Sequence, residues 1–137
     1  MKIREVMTHP VVSVRPHTSV SKAAQLLVSR GFGAAPVRTA EGQVLGIATE
    51  ADLVRDRVVP TADDQESTGR GGRGAEHTVS EVMTPAPLCV GPDDEVAEVA
   101  LQMLRTGDRS VLVLEGSRLV GIVTSRDLLG AIGKRSS

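Results

Sequence analysis

"LGIATEADL", from Leu45 to Leu53, returns near the other end of the chain as "VGIVTSRDL", from Val120 to Leu128. Glycine, isoleucine, threonine, aspartate and leucine keep their places while the residues between them change. Such selective repetition marks an internal duplication, and a duplication decides the architecture before any single motif is weighed. Upstream of each phrase the match continues in one order. "EVMT" at Glu5–Thr8 meets "EVMT" at Glu81–Thr84. Val14 then meets Val90, Pro16 meets Pro92, Val20 meets Val96, Ala24 meets Ala100, Gly31 meets Gly107 and Val37 meets Val113. The chain is one pattern written twice.

Each copy has the same coarse layout. A short apolar stretch, "PVVSV" (Pro10–Val14) or "PLCV" (Pro87–Val90), reads as a strand. An amphipathic helix follows, with Val20, Ala23, Ala24, Leu27 and Val28 at helical spacing, and Val96, Val99, Ala100, Met103 and Leu104 repeating it. Thr18 and Asp94 stand where N-caps belong, and Gly31 and Gly107 where a helix commonly stops. Two strands joined by short turns come next, Ala35–Arg38 with Val44–Ala48 and Ser110–Leu114 with Leu119–Val123. A second helix starts at the repeated phrase and carries Leu53 and Val54, or Leu128, Leu129 and Ile132. A copy of about fifty residues buries too little surface to be comfortable alone, so the two are expected to pack together, sheet to sheet. Between them "TADDQESTGRGGRGAEH" (Thr61–His77) is polar and glycine-rich, which predicts a mobile linker.

Composition narrows the function. Of 137 residues Phe32 is the only aromatic, so the core is built from aliphatic side chains and methionine. A net charge of −1 supplies no long-range field for nucleic acid or an acidic membrane, so any anion site is local. The basic glycines of "GRGGRG" are few, lack aromatics and are flanked by acids, which reads as linker. Cys89 is alone, so no internal disulfide forms, and its apolar setting predicts a packed small side chain. No apolar run reaches bilayer length, and "MKIREVMTHP" is no signal segment, so the expected setting is the cytoplasm. His9, His17 and His77 are scattered without metal-ligand spacing, Cys89 has no histidine beside it in sequence, and no phosphate-cradling glycine loop follows a strand. The chain is expected to be neither an enzyme nor a metalloprotein.

The repeated phrase allows two readings. Thr-x-x-Asp ahead of an apolar helix is a capping box: the Thr49 or Thr124 hydroxyl accepts an amide proton, and the Asp52 or Asp127 carboxylate reaches back to the cap amide. The same geometry suits a ligand. Free N–H groups at a helix start fit a phosphate, and a carboxylate one turn on accepts from both hydroxyls of a ribose cis-diol. Spacing alone leaves both readings open.

The order "EVMT", amphipathic helix, "AAPV" (Ala34–Val37), "GIATEADL", repeated as "EVMT", helix, "SVLV", "GIVTSRDL", resembles the cystathionine β-synthase (CBS) domain. Two such repeats make a CBS pair, or Bateman module. The resemblance covers residues 3–57 and 79–133, leaving 58–78 as linker and 134–137 as tail, and looks like a stand-alone pair. It implies an α/β (α+β) fold of two tandem β-α-β-β-α repeats packed about a pseudo-twofold axis. It implies clefts between the repeats that take adenosine-containing ligands such as AMP, ADP, ATP, NAD-type dinucleotides or S-adenosylmethionine. The family's ribose-binding aspartate maps onto Asp52 and Asp127, and its threonine onto Thr49 and Thr124. Its base-holding strand maps onto Ala34, Ala35, Pro36 and Val37, and onto Ser110, Val111, Leu112 and Val113. Homodimerisation through the helices is implied too, with an adenine nucleotide as regulatory signal and an unidentified effector protein reading it. The alternative is a ligand-free dimerisation scaffold in which Thr-x-x-Asp only caps helices.

The copies depart from one another at two places. Leu112 stands where the first copy has Pro36, which raises the expectation of a different path for the second base-holding strand. "TEAD" brings Glu50 to one helix start and "TSRD" brings Arg126 to the other, with Arg109 nearby. A guanidinium favours a phosphate and a carboxylate opposes one, so the Asp127 half is expected to take the more phosphorylated ligand; the alternative is that Glu50 and Arg126 both point into water.

Overall fold

The computed structural model describes residues 1–58 and 76–136. Most of the linker expected over residues 58–78, with its "GRGGRG" run, lies outside the described residues. The chain divides into two compact units, Ser13–Ala86 and Met1–Val12 with Pro87–Ser137. This division does not follow the duplication. The segment that opens each copy belongs to the unit built on the other copy's repeated phrase.

In the unit Ser13–Ala86 the order is α1 (Val20–Arg30), β1 (Ala34–Arg38), β2 (Val44–Thr49), α2 (Glu50–Val58), α3 (Val79–Val82) and β3 (Thr84–Pro85). The three strands form one sheet in the order β1-β2-β3, both pairings antiparallel. Val14, Val20, Ala23, Leu27, Ala35, Val37, Ala48, Leu53 and Val79 make its core. In the other unit a 3₁₀ turn (Ile3–Glu5) precedes β4 (Cys89–Val90), α4 (Val96–Thr106), β5 (Ser110–Glu115), β6 (Arg118–Thr124) and α5 (Ser125–Ser136). Its sheet runs β4-β5-β6, with β4 parallel to β5 and β6 antiparallel. Ile3, Val90, Val99, Met103, Val111, Val113, Val123 and Leu128 form its core. The fold is mixed α/β, with a three-stranded sheet in each unit.

Both long helices stop where glycine permits a left-handed turn. Gly31 has φ 70° and Gly107 φ 80°, and each N–H returns to carbonyls of the last turn. Their starts lie one residue beyond the expected caps, at Ser19 and Glu95. Thr18 and Asp94 instead close the preceding turn: Thr18 Oγ1 accepts from the Arg15 N–H (3.3 Å) and Asp94 Oδ2 from the Gly91 N–H (2.8 Å). Such local bonds compete with capping. Val28 and Leu104, at the right spacing for the core, lie outside it at 83% and 80% exposure. Val54 and Leu129 are exposed in the same way, while their neighbours Leu53 and Leu128 are buried. Cys89 is exposed rather than packed, because alternation along β4 turns Val90 inward and the cysteine out.

Pro36 explains why the first leading strand is nearly absent. In the second copy Leu112 donates its N–H to the Leu88 carbonyl (3.0 Å), which extends the β4–β5 ladder. Pro36 holds the matching place without an N–H. The expected strand Pro10–Val14 therefore shrinks to a single parallel bridge, Val14 to Val37. The register of the base-strand hairpin is untouched: Pro36 faces Ile47 as Leu112 faces Ile122. The substitution changes the neighbouring strand and leaves the path of β5 alone.

The glycine of each repeated phrase is required by the segment lying against it. Thr84–Pro85 pairs with Gly46 and Ile47, and Thr8 bridges Ile122. A Cβ at residue 46 would come within 2.6 Å of the Thr84 carbonyl oxygen and 2.7 Å of Met83 Sδ. A Cβ at residue 121 would run into the Met7 side chain, with Met7 Cγ at 2.9 Å. Methionine 7 thus sits on Gly121, and its repeat-mate Met83 on Gly46. The contacts differ in how they can yield, since Met7 can rotate away and the Thr84 carbonyl cannot. Gly46→Ala is expected to lower stability by about 1–3 kcal/mol, as overpacking does. Gly121→Ala should lose less and should be relieved by Met7→Ala. Urea unfolding midpoints of the three variants check this.

Candidate functional site

The repeated phrase forms the same small structure in both units. The strand β2 or β6 ends at its threonine and the helix α2 or α5 begins at the next residue. The Thr49 N–H donates to Asp52 Oδ2 (3.0 Å) and the Asp52 N–H to Thr49 Oγ1 (3.1 Å). The Thr124 N–H donates to Asp127 Oδ2 (2.9 Å) and the Asp127 N–H to Thr124 Oγ1 (3.2 Å). Both capping boxes are closed. The carboxylates also sit favourably at the positive ends of their helices.

Capping engages one oxygen of each aspartate strongly. In the first unit Asp52, 7% exposed, has further partners: the Thr84 hydroxyl at 3.2 and 3.4 Å from its two oxygens, and Arg55 Nη1 at 3.4 Å from Oδ1. Asp127 is half-buried, and its Oδ1 receives the Thr8 hydroxyl at 3.4 Å, shared with Oδ2 at the same distance. A carboxylate offers about four lone-pair positions. Asp127 therefore keeps more acceptor capacity than Asp52.

The base-strand residues divide by face. Ala34 lies opposite Thr49 and Pro36 opposite Ile47, while Ser110 lies opposite Thr124 and Leu112 opposite Ile122. Residues directly paired across antiparallel strands share a face. Ala35, Val37, Val111 and Val113 instead point into the cores of their own units. Ala34, Pro36, Ser110 and Leu112 stand on the threonine's face, together with Ile47 and Ile122. The sequence reading did not place the two isoleucines on this face, although their identity within the repeated phrase marked them. Thr8 and Thr84 were also passed over as partners of the carboxylates. Their identity was visible, but the sheet each would join was not.

Charge separates the two half-sites. The Glu50 N–H donates to the Gly33 carbonyl (2.9 Å), and Glu50 Oε1 lies 3.5 Å from where a Cβ on residue 33 would stand. In the second copy the Ser125 N–H donates to the Arg109 carbonyl (2.9 Å). Arg109 thus replaces Gly33, Ser125 replaces Glu50, and Arg126 follows. Arg109 and Arg126 are both exposed. Asp127 and Arg126 also line a recess of about 400 Å³ with Glu5, Val6, Gly130, Ala131, Lys134 and Met1. One helix start offers a carboxylate and the other two guanidinium groups. No helix among the described residues is long and apolar enough to cross a membrane.

A family model described as CBS domain matches residues 3–58 and 79–134. A solved structure of CBSX2 in complex with AMP superposes with a TM-score of 0.79 at 24% identity, covering 99% of this chain and 98% of that one. The CBS domain pair of protein MJ0100, in complex with 5′-methylthioadenosine and S-adenosyl-L-methionine, gives a TM-score of 0.79 at 23% identity, with 98% of each chain covered. At these identities the likeness shows the fold. Uncharacterized protein MJ1225 of Methanocaldococcus jannaschii is 26% identical over 131 residues. That alignment takes in 96% of this chain and 42% of the relative, so the chain spans less than half of that protein's length.

The capping geometry makes a ligand-free prediction. Asp52→Ala leaves the Thr49 amide and the Thr84 hydroxyl without their acceptor in a buried place, whereas Asp127→Ala mainly removes a cap. The first should destabilise by about 2–3 kcal/mol and the second by about 1 kcal/mol. Urea unfolding in nucleotide-free buffer compares them.

Proposed function

The chain belongs to the CBS domain family, and we propose that it is a non-catalytic regulatory module whose Thr–Asp helix starts hold an adenosine-containing ligand. The observation that carries this reading is the division of work between the carboxylate oxygens. The cap uses Oδ2 of Asp127, and Oδ1 retains capacity for a ribose hydroxyl. Capping and ligand binding then coexist on one side chain. Thr124 and the exposed start of α5 serve the phosphate side, and Ser110, Leu112 and Ile122 share the face beside them. The complexes of CBSX2 with AMP and of MJ0100 with adenosyl ligands support this choice of ligand class.

The half-site of Asp127, Thr124, Arg126 and Arg109 takes the more highly phosphorylated ligand. Two guanidinium groups accompany that helix start, and Asp127 has fewer internal partners than Asp52. Thr49 and Asp52, with Ala34 and Pro36, form the weaker site, where Glu50 opposes added phosphate. The ligand acts as a signal by preferring one conformation or assembly over another, which an effector protein reads in the cytoplasm. The chain homodimerises through its helices, for which exposed Val28, Leu101, Leu104 and Leu129 supply apolar surface. The reading as a scaffold alone draws on the same closed caps and the same exposed residues.

Dye-based thermal unfolding decides between the two readings, because the chain has no tryptophan or tyrosine to report directly. AMP, ADP, ATP, NAD and S-adenosylmethionine are tested against wild type, Asp52→Ala, Asp127→Ala and Arg126→Ala. A ligand at a hundredfold excess over its Kd stabilises by about 2.7 kcal/mol, a midpoint rise of about 5–10 °C. The expected rise disappears in Asp127→Ala, and in Arg126→Ala it shrinks more for ATP than for AMP. No rise with any ligand leaves the scaffold reading. Sedimentation of wild type and Leu104→Glu tests assembly, with a dimer expected to give way to monomer.

A further inference from the structure

Each carboxylate proposed to hold ligand is gripped from two sides, and one grip comes from the segment that opens the other copy. In one unit the Thr8 hydroxyl lies 3.4 Å from both oxygens of Asp127. In the other the Thr84 hydroxyl lies 3.4 and 3.2 Å from the oxygens of Asp52. The threonines hold equivalent places in the two "EVMT" segments. Their positions are pinned by backbone: the Thr8 N–H donates to the Ile122 carbonyl (2.8 Å), the Ile122 N–H to the Thr8 carbonyl (3.2 Å), and Thr84 pairs with Ile47 in β3.

We propose that Thr8 and Thr84 are positioning residues for the two ligand-holding carboxylates, so that each half-site is completed by the opening segment of the other copy. The cap bond to Oδ2 fixes one oxygen, but the terminal torsion of an aspartate is broad and leaves the carboxylate plane free to turn. A hydroxyl spanning both oxygens sets that plane and keeps Oδ1 presented. Its distances exceed the usual O–H···O length of about 2.7–2.8 Å. The contact therefore orients the group while leaving lone pairs for a ligand. The threonine methyl has no part in this role, so serine should replace threonine and valine should not.

The proposal rests on the ligand reading above, and two measurements separate it from that reading. In calorimetric titration with AMP, Thr8→Val is expected to weaken the Asp127-dependent binding about two- to threefold, the low end for a hydrogen bond because the contact is long. Thr8→Ser should restore it. Wild-type affinity in Thr8→Val overturns the proposal, and so does a Thr8→Ser variant as weak as Thr8→Val, because packing would then explain the effect. A double-mutant cycle of Thr8→Val with Asp127→Asn, read from urea midpoints without AMP, tests the grip alone. Non-additive losses support it, and additive losses overturn it whatever AMP does. A wild type that takes no AMP yet gives non-additive losses overturns the ligand reading and leaves Thr8 as the residue that positions Asp127.

Discussion

Met7 lies directly on Gly121, and Gly46 is crowded more rigidly still, by Met83 and the Thr84 carbonyl. Most of the structure depends on this close docking of "EVMT" against "GI-x-T". It lets the Thr8 and Thr84 backbones reach the outer edges of β6 and β2. It brings Ile3 and Val79, both fully buried, into cores that the sheets and long helices would otherwise leave open on one side. Burying such a side chain contributes about 1.5–3 kcal/mol. The docking also delivers a hydroxyl to each carboxylate. The glycine, isoleucine and aspartate of the repeated phrase are thus all answered by one short segment.

That pairing gives the duplication its meaning. A repeat that kept its own opening segment would be a closed unit, and its neighbour could be lost without consequence. Here each sheet is edged by residues from the start of the other copy. The run after Thr8 goes on to bridge β1 at Val14, and the run after Thr84 goes on to β4 beside β5. Neither repeat is a complete folding unit, which is the physical reason for writing the phrase twice in one chain.

Much of this was legible in the sequence. The two copies, the hairpins and the helix ends at Gly31 and Gly107 follow from periodicity and from the demand for a left-handed turn. The expected caps failed by one residue because Thr18 and Asp94 have a choice of amides, and the turn before the helix offers one just as near. Val28 and Leu104 failed because spacing identifies a face without saying how wide the buried part of it is. The strand Pro10–Val14 failed because Pro36, read as part of a binding strand, also withholds an N–H from its neighbour. The candidate site was legible as residue types at fixed spacing. The sheet faces required the register, which put Ala35, Val37, Val111 and Val113 into the cores. The partners of the carboxylates required knowing which copy each "EVMT" would join, and identical segments carry no such information.

The two half-sites argue for a division between what duplication holds fixed and what it releases. Strand register, the capping box and the threonine grip are the same in both copies because each depends on backbone geometry that a substitution would break. The charges beside them carry no such constraint. Gly33 and Glu50 at one helix start correspond to Arg109 and Ser125 at the other, and Ala51 corresponds to Arg126. These positions are exposed, so their exchange leaves the fold intact while changing the charge beside each helix start. Asp52 is enclosed with Arg55 and Thr84, whereas Asp127 is half-buried and lines a recess with Arg126. Enclosure of the carboxylate, like the charge beside it, is thus among the features that the duplication has released.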